Sequence, residues 1–316
     1  NNLRYPYNIT DVRVALTHVI DFKKIYEAFK GVDGSYPTTS ILPVVRTPLA
    51  DDLYYKPLKD QLVNLGMDPT TGWWKYDLAK AETLLKSAGF TKGADGKWKL
   101  PTGTPWTIRV LTTAGFEMES QRIGFVVSDH FRSFGIEVVT EPVESGVWSP
   151  RISRGEYEIA TTWPGCTSLP DLTPHIQGWH SKYFLPTAPA TGWPNYSFPR
   201  RAELNSIIDE MEATSYDLNK DKIIDLARKA LLIWAEQRPW AGLFPTPFWT
   251  LQDTYNWDGW PSYPENYYMD PVSWWAQHIF VILNLYPTGR SPTTWVPVQY
   301  VSVWTTKALA AFIGAD

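Results

Sequence analysis

Residues 106–143 read WTIRVLTTAGFEMESQRIGFVVSDHFRSFGIEVVTEPV, and this stretch decides the fold. Trp106–Thr112 alternates apolar and polar residues as a strand does, and Glu119–Phe134 repeats its apolar residues at helical spacing. Gly135 ends the helix, and Ile136–Val143 again has the pattern of a strand. A strand, a helix and a second strand in 38 residues predict a βαβ unit with parallel strands and a right-handed crossover.

The sequence repeats this pattern further on, with a short helix around Trp148–Arg154 and a strand over Tyr157–Thr162. The next segment, Trp163–Arg200, is long, rich in Gly and Pro and without periodicity, which is typical of a functional loop. Two helices are then predicted over Ala202–Ala213 and Lys220–Glu236. The fold class is therefore α/β, with a mixed sheet.

A change in composition after Pro239 indicates a domain boundary near Arg238. Before it the chain alternates helices and strands, and after it the chain has short, aromatic-rich strands and turns. We therefore expect one domain over residues 1–238 and a second unit over residues 239–316.

Composition and missing motifs exclude several function classes. The net charge of −4 argues against nucleic-acid binding, and the single cysteine, Cys166, excludes an intramolecular disulfide and a cysteine-based zinc site. No dinucleotide-binding or phosphate-binding glycine motif, no HExxH and no GxSxG occurs, so we predict no cofactor, no metal and no such catalytic residue. A glycoside hydrolase stays open, because it needs only two carboxylates whose spacing a sequence does not give.

Aromatic residues are the most unusual part of the composition. The chain has 17 Trp, 17 Tyr and 13 Phe, and many of the indoles stand beside Gly or Pro. Rings on loops can form a surface on which the C–H faces of sugars stack while the indole N–H finds an acceptor. The alternative is that these rings pack beneath the loops as satellite clusters of the core.

Four segments in order along the chain resemble the extracellular solute-binding proteins of family 5, which serve peptide, nickel and oligosaccharide ABC importers. They are DVRVALTHVID (Asp11–Asp21), YDLAKAETLLKSAGF (Tyr76–Phe90), the segment Gly155–Trp163 that begins GEYEIA, and RPWAGLF (Arg238–Phe244).

The resemblance implies a lobe of the type II periplasmic-binding-protein kind. Residues 1–238 are then the inserted C-terminal lobe, and residues 239–316 are the returning part of the N-terminal lobe and a tail. The rest of that lobe, an N-terminal half of the same protein, is an implied partner, together with the permease subunits of an ABC transporter. The resemblance further implies a periplasmic or extracellular, cell-surface-associated protein that is not an enzyme.

The resemblance also implies where the ligand binds. Trp148 and the segment Trp163–Leu169 correspond to positions that face the ligand in the family. Peptide-binding members have an aspartate three residues after the motif tryptophan, where it pairs with the peptide α-amino group, and here that position is Cys166. A buried ammonium would have no partner there, so a neutral ligand is favoured.

The predicted ligand-binding residues are Trp148, Trp163, Gly165, Cys166, Thr167, Trp179, Trp193 and Phe244. The last three are included for their loop or strand positions alone. The function predicted from these features is a receptor for an oligosaccharide of the β-linked glucoside or mannoside type. The alternatives are an oligopeptide receptor, a carbohydrate-active enzyme, and a structural or adhesion module.

Overall fold

The computed structural model describes residues 1–28, 41–44, 48–114, 118–161, 171–183, 200–243, 249–261, 278–289 and 299–302. Its helices are α1 Thr10–Val19, α2 Phe22–Ala28, α3 Pro48–Ala50, α4 Lys59–Asn64, α5 Leu78–Ser87, α6 Met118–Ser133, α7 Ser145–Ser153, α8 Thr173–Ile176, α9 Arg201–Glu212, α10 Lys220–Gln237 and α11 His278–Asn284. A π-helical turn, Asp51–Tyr55, follows α3, and two 3₁₀ turns, Gln177–Trp179 and Ser181–Tyr183, follow α8.

The described strands form one three-stranded sheet and three two-stranded ones. They are β1 Thr91–Lys92, β2 Trp98–Lys99, β3 Thr107–Ala114, β4 Glu137–Glu144, β5 Ile159–Ala160, β6 Trp249–Gln252, β7 Trp257–Asp258, β8 Tyr286–Pro287 and β9 Gln299–Ser302. The pairs β1–β2, β6–β9 and β7–β8 are antiparallel.

The predicted βαβ unit is confirmed. β3 and β4 pair in parallel from Thr107 opposite Glu137 to Ala114 opposite Glu144, and α6 connects them. α6 packs on both strands. Gly135 has a φ of 99°, and a Cβ at this position would lie 2.2 Å from the carbonyl oxygen of Gly96. The glycine therefore permits both the helix ending and the close approach of the hairpin between β1 and β2.

The predicted second repeat is also present. α7 follows β4 directly, and β5 pairs in parallel with the other side of β3, so the strand order is β4-β3-β5. The described strands of this sheet are all parallel, and the predicted α/β class is confirmed. β3 is the central strand of the sheet, and its Ile108 and Val110 side chains are fully buried.

Two buried arginines fix the end of α10. Arg13 on α1 donates hydrogen bonds to the carbonyl oxygens of Gln237 and Tyr7. Arg238 adopts a left-handed conformation at the end of α10, donates to the carbonyl of Leu65 and stacks 3.4 Å from the ring centroid of Trp74. Burial lowers the pKa of Arg13 to about 10 and that of Arg238 to about 9.

Candidate functional site

The carboxyl ends of the parallel strands define the candidate site. β3 ends at Ala114, directly opposite Glu144 at the end of β4, and Thr161 continues β5 at the same edge. In open α/β sheets, ligands bind outside the carboxyl ends of the strands. This edge also begins α7, the helix that carries Trp148.

Trp148 is half-buried, and its indole nitrogen is in the interior. Nε1 has no hydrogen-bond acceptor among the residues that the structure describes. A buried indole N–H normally has an acceptor, because leaving it unpaired costs about 1–3 kcal/mol. The side chain therefore places a half-buried ring and a buried, unpaired donor at the strand edge.

An ionic network holds α7 against the sheet. Arg151 on α7 donates from Nη2 to the Glu141 carboxylate at 3.0 Å and from Nε to the carbonyl of Glu156. Glu141 also accepts a hydrogen bond from Arg109 on β3. Burial alone raises the pKa of Glu141, but the two guanidinium groups outweigh this effect and lower the pKa below its usual value. The charged carboxylate thus connects α7 to β3 and β4 and fixes the position of Trp148.

Buried threonine side chains pack at the same edge, and their hydroxyl groups are hydrogen-bonded within the chain. Thr161 donates to Thr112 at 2.8 Å between the two Oγ1 atoms, and Thr113 Oγ1 lies 3.3 Å from Ser145 Oγ. Glu144, the last residue of β4, adds an exposed carboxylate. Among these described residues, Ser145 and Glu144 are the exposed polar groups of the edge, one a neutral hydroxyl and the other an acid.

The GEYE segment packs the N-terminal residues against the sheet. Gly155 is buried with a φ of 67°, which favours glycine. The Glu158 carboxylate accepts hydrogen bonds from the Tyr7 hydroxyl at 3.2 Å and from the main-chain N–H of Arg109 at 2.9 Å. This segment therefore has a structural role beside the site.

Trp179, one of the predicted ligand-binding residues, is a core residue. Its side chain is 3% exposed and stacks on Trp234, with ring centroids 4.1 Å apart, while His175 packs against its edge. A ring packed in this way offers no open face to a sugar. The loop position that suggested this residue did not reveal the direction of its side chain.

Much of the tryptophan excess also belongs to the core. Four of these side chains, Trp74, Trp98, Trp106 and Trp234, are 1% exposed. Trp73 stacks on Tyr26 with ring centroids 4.3 Å apart. The alternative considered for the sequence, that loop aromatics pack beneath their loops, therefore applies to Trp73, Trp74 and Trp106, whereas Trp98 lies on β2 and Trp234 on α10.

The remaining predicted site residues, Trp163, Gly165, Cys166, Thr167, Trp193 and Phe244, lie outside the described residues. The first four follow Thr161 closely in the chain. They stay predictions, as does the division into residues 1–238 and 239–316.

The sequence reasoning missed the buried threonines of this edge and the Arg151–Glu141 contact. Threonines at Thr112 and Thr113 are unremarkable in a strand, and the pairing of Glu141 with Arg151 depends on how α7 turns back over β4. The only available signal was their position at the predicted carboxyl ends of strands.

A family model for the bacterial extracellular solute-binding proteins, family 5 Middle, matches residues 1–182. The chain belongs to this family. The match covers α1, the βαβ unit, α7 and the following loop, and so it includes the candidate site. Members of this family are solute-binding receptors of ABC transporters and are not enzymes.

Solved structures share the fold at low sequence identity. A mannohexaose-bound periplasmic oligopeptide-binding protein of an ABC transporter from Thermotoga maritima is 19% identical, with a TM-score of 0.67 over 92% of this chain and 51% of its own. AppA from Bacillus subtilis, in complex with a nonapeptide, is 20% identical, with a TM-score of 0.57 over 77% of this chain and 43% of its own. MelB from Agrobacterium fabrum, in complex with stachyose, is 15% identical, with a TM-score of 0.54 over 75% of this chain and 33% of its own.

These likenesses establish a type II periplasmic-binding-protein fold. The chain spans about half the length of the Thermotoga protein, 51%. A search of curated proteins gives no match. Within the part of the chain that the structure describes, no helix has the length and apolar character needed to cross a membrane.

Proposed function

We propose that this chain is the C-terminal part of an ABC-importer receptor that captures a neutral oligosaccharide. The ligand is of the β-linked glucoside or mannoside type and is held by aromatic stacking and hydrogen bonds. The receptor is periplasmic or extracellular, associated with the cell surface, and delivers the sugar to permease subunits.

The observation that carries the proposal is the indole of Trp148. It combines an apolar ring with a buried N–H that lacks a described acceptor, and it stands where α/β sheets bind ligands. A sugar suits this side chain, because its C–H face stacks on the ring and its oxygens accept the N–H bond when ligand binding uncovers Nε1. The exposed hydroxyl of Ser145, which begins α7 three residues before Trp148, suits a neutral, hydroxyl-rich ligand.

Two further points support a neutral ligand. Cys166 occupies the position that the family resemblance assigns to the aspartate of peptide-binding members. A neutral thiol gives an ammonium no counter-charge, and burying an uncompensated charge costs several kcal/mol. Two proteins with the same fold have mannohexaose or stachyose bound.

An oligopeptide receptor is the second candidate. The exposed carboxylate of Glu144 lies at the strand edge, and a peptide ammonium could pair with it there. AppA, which shares the fold, is seen with a nonapeptide. This candidate requires binding that weakens as salt screens the charges.

Titration calorimetry of the complete receptor separates the two candidates. The panel contains cello-, manno- and xylo-oligosaccharides and a pool of short peptides. We expect heat from at least one sugar series and none from the peptides. Binding confined to the peptides would reject the sugar assignment. Turnover of the sugars would reject the receptor function in favour of an enzyme.

A further inference from the structure

Arg238 is a buried charged group that the candidate site does not use. The residue is 3% exposed, and its Nε donates to the carbonyl of Ala235 at 3.1 Å while Nη2 donates to the carbonyl of Leu65 at 3.0 Å. The third nitrogen, Nη1, is buried and has no acceptor among the residues that the structure describes. A buried donor is normally paired, because leaving a charged donor unpaired is costly.

Trp74 supplies a second donor at the same place. The guanidinium carbon of Arg238 lies 3.4 Å from the centroid of the Trp74 ring, so the two groups are in contact. Trp74 is 1% exposed, and in the described part of the chain its Nε1 also has no acceptor. The contact therefore brings two buried, unpaired N–H groups together.

The charge around these donors is positive. Arg13 is 6% exposed and bonds to the same end of α10 through the Gln237 carbonyl. Both arginines donate to neutral acceptors, and neither forms an ion pair with a carboxylate of the described residues. The pKa values of about 10 for Arg13 and about 9 for Arg238 keep both groups charged at neutral pH. The end of a helix carries only about half a negative charge, so most of the positive charge is not offset.

A small anion accounts for both observations. It accepts hydrogen bonds from the two N–H groups and supplies negative charge, whereas a buried water molecule supplies only the acceptor. Chloride suits an enclosed position because it is a single atom that accepts hydrogen bonds from any direction. We propose that Nη1 of Arg238 and Nε1 of Trp74 bind a chloride ion at the end of α10. The proposal does not depend on which ligand the receptor captures.

Anomalous diffraction tests the site directly. The complete receptor is crystallised from sodium bromide, because bromide replaces chloride and scatters anomalously. We expect an anomalous peak within about 3.5 Å of both Arg238 Nη1 and Trp74 Nε1, a hydrogen-bonding distance for a halide. Density without an anomalous signal would identify a water molecule and overturn the proposal. A carbonyl or carboxylate of the receptor at the two donors, or no density there, would overturn it as well.

Thermal unfolding at constant ionic strength measures the same binding in solution. Chloride is raised from about 1 to about 300 mM against gluconate, which is too large for an enclosed site. The thermal midpoint of the complete receptor should rise by at least about 2 °C, since an ion that binds only the folded state stabilises it by mass action. Trp74→Phe keeps the stacked ring and removes Nε1, and it should lose at least about half of that rise. Arg238→Gln removes the charge and should abolish the rise.

Trp98→Phe is the matched control. Trp98 is also 1% exposed, but its Nε1 donates to the carbonyl of Phe134 at 3.1 Å. This variant should have a lower midpoint at every chloride concentration, while its rise with chloride stays equal to that of the parent. The readout is the dependence on chloride, so a general loss of stability in a variant does not imitate the expected result. A parent without the rise, or an unchanged rise in Trp74→Phe, would overturn the proposal.

Discussion

The guanidinium group of Arg13 donates two hydrogen bonds to the main-chain carbonyl of Gln237, from Nε at 2.9 Å and from Nη2 at 2.7 Å. Arg13 lies in the first of the four sequence segments that resemble the family, and Gln237 directly precedes the last. The contact joins α1 to the final turn of α10, where the carbonyl groups have no helical partner. It therefore fixes the end of α10 against α1.

Replacing this arginine should destabilise the fold. Arg13→Met leaves the buried carbonyls of Gln237 and Tyr7 without donors, and each unpaired group costs about 1–3 kcal/mol. We expect the free energy of unfolding in urea to fall by at least about 2 kcal/mol. The exposed Arg4→Met is the control and should stay within about 0.5 kcal/mol of the parent. Equal effects would show that the contact contributes nothing specific.

Gly135 should tolerate no side chain. Gly135→Ala forces a left-handed residue to carry a Cβ, which costs about 1–2 kcal/mol, and drives that Cβ into the Gly96 carbonyl. Gly103→Ala is the matched control, since its φ of 85° is similar but nothing lies within 4 Å of the added Cβ. Urea titrations should show a loss of about 3 kcal/mol or more for Gly135→Ala and about 1 kcal/mol for Gly103→Ala. Equal losses would show that the close approach of the hairpin to Gly135 adds nothing to the cost of the substitution.

Gly135 and Arg13 show which features of the fold can be predicted from sequence and which cannot. The βαβ unit was predictable because periodicity and the glycine after the helix are local signals. The contact of Arg13 with Gln237 and the burial of Trp179 against Trp234 were not, because each joins elements far apart in the chain. At the candidate site, Trp148 was proposed from a motif, whereas its unpaired N–H became visible only when α7 was placed on the sheet.

Acid should weaken the fold through His175. Burial lowers the pKa of this histidine from 6.5 to about 4, although a hydrogen bond to the Pro43 carbonyl opposes the shift. The unfolded chain therefore binds the proton more readily than the folded one between these values, so stability falls as pH decreases from 6.5 towards 4. Because the side chain keeps partial contact with water, the loss should be about 1–3 kcal/mol.

The measurement is the free energy of unfolding against pH, for the parent and for His175→Gln. The variant should have a shallower slope between pH 6.5 and 4, the window set by the two pKa values. A slope remains, since burial also lowers the pKa values of His18 and His130. Identical slopes would show that His175 does not titrate differently on folding.

Two substitutions of Trp148 should separate its ring from its N–H. Trp148→Ala removes both and should weaken sugar binding by about 1–3 kcal/mol, by analogy with stacking of bases on aromatic rings. Trp148→Phe keeps a ring and loses only the donor, which should cost about 0.5–1.5 kcal/mol. Phe125→Ala, at an exposed aromatic residue on α6, should leave the affinity unchanged. Unaltered binding by Trp148→Ala would remove this residue from the site.

The salt dependence of ligand affinity tests the central claim most directly. The complete receptor is titrated calorimetrically with its best neutral oligosaccharide and with short peptides at about 0.05 and 0.5 M NaCl, which changes the screening length severalfold. A neutral sugar held by Trp148 and hydroxyl groups should bind with a Kd that changes by less than about twofold. The account would be contradicted if the sugars gave no heat and a peptide bound with submicromolar affinity that weakened strongly as the salt concentration rose.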